Sequence, residues 1–369
     1  MLWCNIRALK CGLGAKRVDT SRRDFLGISA ATAALASGLA PAVAAANPAP
    51  ASSAKDLFWV AAVTPCDRSY KFDEGAYRDQ LSWWKQNGAD GVLVLGTNGE
   101  GPSFSVAERK HITEVALRNK MGLDMIVATG TPNYHEAIEL SRHAADHGAD
   151  SVLIQPPFYY KNPQAEGVID YFRLVFDEVK TPVRYYHIPK VTGVPVDVTV
   201  FKALAQYPNF VGVKDSNGDP AEYEAIVAAV PSTLNIISGT DNNMLAALSH
   251  GNGVILGSGN VYTKLVAAIF TAHRAGKDVN EPMARLTAAT QMMQANGYGS
   301  NYNAIKLALN QMMGGSRMTY ARPPHVALSD EQIAARVAAY DVPESPDLTG
   351  VLRKYARVVS SAAEGAITI

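Results

Sequence analysis

From residue 57 onward, short runs of apolar and β-branched residues alternate with longer stretches whose apolar positions recur every three to four residues. The short runs predict strands over 57–64, 91–95, 124–129, 151–155, 183–188, 210–214, 235–238 and 254–257. The stretches between them carry the helical period: in 134–147, Ala137, Ile138, Leu140, Ser141, Ala144 and Ala145 form one small-apolar face. Eight strands separated by helices fit an α/β chain closed into a (β/α)8 TIM barrel.

A repeated junction supports the same arrangement. Asn87-Gly88-Ala89-Asp90-Gly91-Val92-Leu93-Val94 returns as His147-Gly148-Ala149-Asp150-Ser151-Val152-Leu153-Ile154, and more loosely as His250-Gly251-Asn252-Gly253-Val254-Ile255-Leu256. Each glycine is placed to end a helix in the left-handed conformation, with a buried strand starting at once. A doubly wound open sheet is the competing architecture, disfavoured because no glycine-rich dinucleotide turn follows the first strand. After an eighth helix over 264–275, helical patterns at 280–295, 302–313 and 329–339 predict a C-terminal helical extension over 276–342. The barrel then covers 57–275, and residues 343–369 form a tail with one short helical stretch at 352–361.

Charge changes the picture only at the N-terminus. Residues 1–46 carry six basic and two acidic side chains, leaving a net −4 on the remainder of a chain whose total is zero. A mildly acidic body without a basic stripe argues against nucleic acid as a partner. The first 46 residues run from a basic region through the weakly apolar 25–43 to small residues at Ala42, Ala44 and Ala46, the layout of an export signal. Ser21-Arg22-Arg23-Asp24-Phe25-Leu26 resembles the bacterial twin-arginine motif, so export with cleavage after Ala44 or Ala46, to the periplasm or beyond, is expected. The apolar run is too rich in Ala and Gly to anchor in a bilayer, and no membrane association is expected once it is removed. Cys66 alone remains in the mature chain, where an apolar setting suits a small buried residue without a catalytic role.

In a parallel barrel the reactive groups stand where strands stop at their C-terminal ends. Lys214 ends the sixth run. A lysine at such a mouth is poorly hydrated, which disfavours its ammonium form, and a neutral amine can attack a ketone to form a Schiff base. Position alone favours a head group that reaches out to solvent. Tyr186, on the neighbouring fifth strand, offers a phenol for proton transfer, or simply a core aromatic with a satisfied hydroxyl. Thr97 and Asn98, in a glycine-bracketed turn before a helix starting near Ser105, offer a hydroxyl and backbone N–H groups suited to a carboxylate.

Taken together, GTNGEGPSFSVAE (96–108), YHIPKVTG (186–193) and VGVKDSNGD (211–219) resemble the dihydrodipicolinate synthase / N-acetylneuraminate lyase family of class I aldolases and lyases. The resemblance runs from residue 57 to 342 and includes Arg322-Pro323-Pro324. It implies that Lys214 forms an imine with a 2-oxo acid of pyruvate type, that Tyr186 moves protons, and that Thr97 and Asn98 hold the substrate carboxylate. It further implies that the backbones of Gly239 and Ile255 face the imine and that Tyr159, with Tyr160 as competitor, enters a neighbouring subunit's proton relay. A homo-oligomer built as a dimer of dimers follows from that sharing. No cofactor is implied, because the lysine supplies the electron sink.

Departures from the family pattern bear on substrate. The synthases carry an arginine two residues after the proline of the tyrosine segment, where it clamps a second carboxylate; here Val191 stands there. Lys190 is expected to point elsewhere, and His187 either recognises a substrate hydroxyl or fills space. Asn98 and the run from Lys214 to Asp219 look closer to 4-hydroxy-2-oxoglutarate and 2-keto-3-deoxy sugar-acid aldolases. The reading is therefore a lyase that releases pyruvate from a 4-hydroxy-2-oxo or 2-keto-3-deoxy sugar acid. A hydratase or dehydratase, a synthase-type condensation and an exported, non-catalytic 2-oxo-acid binder remain alternatives. His143 and His147, four apart on one helix, have metal-binding spacing, but no third ligand stands near them in sequence, so no metal is expected.

Overall fold

A computed structural model describes residues 56–295, 302–314, 319–329 and 331–333, all within the unit Pro48–Ile369. The expected export signal, the helical stretch at 352–361, the tail and most of the helix at 329–339 lie outside the described residues.

Eight parallel strands close into one barrel in sequence order, with β1 pairing both β2 and β8. They are β1 Phe58–Ala61, β2 Gly91–Val94, β3 Asp124–Ala128, β4 Ser151–Ile154, β5 Val183–His187, β6 Phe210–Asp215, β7 Asn235–Ser238 and β8 Val254–Leu256. Around them run α1 Glu74–Gln86, α2 Val106–Arg118, α3 Tyr134–Asp146, α4 Ala165–Glu178, α5 Pro189–Thr192, α6 Val198–Leu204, α7 Pro220–Ala229, α8 Met244–Ser249 and α9 Gly259–Arg274. Two further helices, α10 Asn280–Ala295 and α11 Tyr302–Met312, form the C-terminal helical region. Among the described residues no helix is long and apolar enough to cross a membrane.

The expected strands are all present: β7 keeps its expected bounds, β6 is longer by one, and the others are trimmed by one to four residues. The last barrel helix begins at Gly259 rather than Lys264, with non-helical backbone at Tyr262 (φ −105°, ψ 34°) interrupting it near its start. Capping follows the side chains. Asp73, Asn133, Asp197 and Asp219 each accept a backbone N–H at a helix start, and Ser105 with Glu108 forms a reciprocal capping box on α2. At the repeated junctions Gly88, Gly148 and Gly251 have φ of +92°, +88° and +66°, as the sequence requires.

Period-two alternation sorts the strand residues into two cores. Trp59, Ala61, Leu93, Ile126, Leu153, Ile237 and Ile255 fill the barrel interior. Their neighbours, among them Phe58, Val60, Val92, Val94, Val152 and Tyr185, pack outward against the helices. The interior is thus a solid layer on which groups at the C-terminal ends of the strands rest.

Candidate active site

Lys214 reaches the interior because β6 changes phase. The register against β5 shifts between Val183 and Arg184, which pair with Phe210 and Gly212, so Val211 is an extra residue. Phe210 and Val213, three apart, consequently both face the outer core, and Lys214 falls on the inner face. Gly212 makes this possible: its φ is +148°, and a Cβ would lie 2.0 Å from the Asn235 carbonyl oxygen.

Tyr186 and Lys214 are register partners on β5 and β6. Lys214 is buried, and its Nζ lies 4.2 Å from the Tyr186 ring centroid, so the head group does not reach solvent. On its other side, Gly239 lets β7 close over the lysine stem. A Cβ there would sit 2.9 Å from Lys214 Cε, and the Gly239 N–H donates to the Asp215 carbonyl at 2.6 Å. Ile255 lies in the interior layer below. The Tyr186 hydroxyl is 3.1 Å from Thr97 Oγ1, which joins the ends of β2, β5 and β6 into one constellation.

The turn bearing Thr97 is held from several directions. Leu95 and Glu100 adopt left-handed backbone, with φ of +58° and +54°. Gly101 packs so closely on Leu95 that a Cβ would be 2.1 Å from its carbonyl oxygen, and Thr64 Oγ1 donates to the Gly99 carbonyl at 2.7 Å. Beneath the turn, the buried Glu100 carboxylate accepts from Lys306 Nζ at 2.6 Å and from the Arg322 N–H at 2.7 Å. Strained backbone of this kind persists only where its surroundings fix it, and here α11 and the segment after it do so.

A cavity of about 320 Å³ opens above Tyr186. Thr97, Ser103, Gln155, Phe158, Ile188, Val191, Tyr302 and His325 contribute to its wall. Lys214 Nζ lies against the ring of Tyr186, which itself lines this cavity. Burial pushes the Tyr302 hydroxyl up to about 12, with Tyr186 and Glu100 adding to the shift, which keeps it a neutral donor. Tyr302 and His325 had no signal in the sequence. They come from the motif-poor C-terminal region and pack ring on ring at 4.4 Å.

The remaining expected residues separate from this centre. Asn98 is half-buried and does not line the cavity. Tyr159 and Tyr160 are 73% and 77% exposed, beyond the wall that Phe158 forms. His187 is corrected as a substrate contact: with Tyr186 inward, alternation turns it outward onto Phe201 and Glu222, whose Oε1 lies 2.6 Å from His187 Nε2. Asp215 is buried near it, and burial raises its carboxyl above the usual range. Lys190 points away from the cavity, donating to the Asn217 carbonyl at 2.7 Å, while Val191 stays at the mouth. Cys66 is buried, and burial pushes its thiol up, away from reactivity. The third ligand absent from the sequence neighbourhood of His143 and His147 is supplied in space by Glu114 of α2.

A parallel barrel with a buried lysine, a tyrosine and a threonine joined at its C-terminal end defines a class of α/β enzymes whose site is built from strand ends. The chain belongs to the dihydrodipicolinate synthetase family, whose profile matches residues 56–340. It is 37% identical over 266 residues to an uncharacterized DapA-like lyase of Chloroflexus aurantiacus, spanning 71% of this chain and 87% of that one. It is 32% identical over 279 residues to a 4-hydroxy-tetrahydrodipicolinate synthase of Syntrophotalea carbinolica, spanning 75% and 94%. Among solved structures it resembles YagE, a prophage protein of the dihydrodipicolinic acid synthase family from E. coli K12 in complex with pyruvate. That match has a TM-score of 0.71 and 25% identity, and covers 77% of this chain and 96% of YagE.

Proposed function

We propose that the protein is a cofactor-independent lyase that cleaves a 4-hydroxy-2-oxo acid or a 2-keto-3-deoxy sugar acid to pyruvate and an aldehyde. The contact of Lys214, Tyr186 and Thr97 across three strand ends carries this reading. The free amine of Lys214 attacks the C2 carbonyl, and the carbinolamine loses water to give an iminium. The C4 hydroxyl then gives up its proton, the C3–C4 electron pair moves toward the iminium nitrogen, and the aldehyde leaves. The resulting enamine takes a proton at C3, and water releases pyruvate. Tyr186 and Thr97, hydrogen-bonded to each other, carry these protons and orient the carboxylate. Val191 at the mouth supports a distal group other than a carboxylate.

A synthase-type condensation is the second reading, supported by the relative from Syntrophotalea. A panel of 4-hydroxy-2-oxo acids, followed by pyruvate release, separates the two. Release from substrates whose distal group is neutral and polyhydroxylated is expected. Turnover restricted to condensation of pyruvate with a carboxylate-bearing aldehyde would replace the cleavage reading. Val191→Arg is expected to favour carboxylate-bearing partners by about tenfold or more.

We also propose export and self-association. Arg22→Lys with Arg23→Lys is expected to hold the protein in the cytoplasm, and normal export of that variant would refute the twin-arginine route. The exposed Tyr159–Tyr160 pair supports an interface that shares a tyrosine between subunits.

A further inference from the structure

We propose that Glu114, His143 and His147 form a binding site for a zinc-like divalent cation that clips α2 to α3, independent of the lysine centre. One ligand atom from each residue lies within 4.8 Å of the others. His143 Nε2 and Glu114 Oε1 are 3.2 Å apart, close to the edge of about 3.3 Å that a tetrahedral ion imposes on ligands at its usual N and O distances. That contact is not a hydrogen bond: His143 Nε2 is buried without a hydrogen-bond partner, although the carboxylate stands beside it.

The second histidine is prepared for the same role. His147 Nδ1 lies 2.8 Å from the His143 carbonyl oxygen. A carbonyl can only accept, so Nδ1 carries the hydrogen and the lone pair of the neutral ring is on Nε2. Metal-ligating histidines characteristically donate their other N–H to such an oxygen. The two rings lie 4.2 Å apart. Two cations lie near the cluster. Lys110 pairs with Glu139 at 2.6 Å, and Arg118 approaches the other oxygen of Glu114, Oε2, at 3.6 Å. Three protein ligands with an exposed His147 leave a fourth position for water.

Zinc titration of the metal-free full-length protein by calorimetry, with Co²⁺ absorption as a spectroscopic readout, tests the site. One ion per chain, tetrahedral cobalt bands and a higher Tm with zinc are expected. Glu114→Gln, His143→Ala and His147→Ala should each weaken binding by more than about tenfold and remove the thermal shift. No saturable binding, or binding unchanged in the His143→Ala/His147→Ala double variant, would overturn the proposal. Imine trapping at Lys214, run on the same variants, is expected to be unaffected, so a failed metal site is distinguishable from a failed lyase reading.

Discussion

At the residue scale, the reactivity assigned to Lys214 depends on a glycine that does no chemistry. Without the extra residue at Val211, alternation would turn Lys214 into the helix layer, and the Gly212 backbone is what admits that residue. Gly212→Ala, with its Cβ 2.0 Å from a carbonyl oxygen, should therefore lose imine formation and thermal stability together, read by borohydride labelling and by Tm. Tyr186→Phe should behave differently, lowering kcat by about 10²–10⁴-fold while the pyruvate imine still traps, because only proton transfer is removed. Lys214, Tyr186 and Thr97 were legible because they end apolar runs in recognisable motifs. Of the two readings open for His187, its position fits space filling, because the same alternation that turns Tyr186 inward turns its neighbour outward onto Phe201. Tyr302 and His325 had no signal, nor did the anchoring role of Glu100, whose partners Lys306 and Arg322 lie some 200 residues away in sequence.

At the element scale, the turn from Gly96 to Ser103 is held by the region after the barrel. Lys306 and Glu100 are both fully buried, so removing one partner strands the other charge. Lys306→Ala should cost about 3–5 kcal/mol in denaturant unfolding, more than replacing both partners by apolar residues of similar volume. Arg322 makes a second tie, donating to Glu108 of α2 at 2.5 Å and holding its carboxyl down at about 2. A carboxyl depressed in the folded state contributes stability that is complete above its ordinary value near 4.5 and is lost as pH falls toward 2. The Tm difference between the parent and Glu108→Gln should thus shrink across that window, and a constant difference would contradict the account. The starts of α2 and α3, behind Ser105 and Asn133, were legible from the sequence. The start of α9 was not, and non-helical backbone at Tyr262 interrupts that helix near its start.

At the scale of the whole molecule, the barrel could be read from eight apolar runs and three repeated helix–glycine–strand junctions, because one local rule builds every unit. The C-terminal helices could be read as helices, but not as the support of the Thr97 turn and part of the cavity wall. Their contacts follow from where the chain returns to, which no periodicity encodes. The solid interior, Phe158 and Val191 on the cavity wall, and the buried amine against the Tyr186 ring together support the proposed site for one small 2-oxo acid. The central claim is the proposed covalent bond between Lys214 and a 2-oxo acid. Borohydride reduction of the protein in the presence of pyruvate, followed by intact-mass and peptide analysis, measures it directly. The account predicts one reduced pyruvate adduct per chain, located on Lys214 and absent from Lys214→Ala. No adduct with pyruvate or longer 2-oxo acids, or an adduct on another lysine, would contradict it.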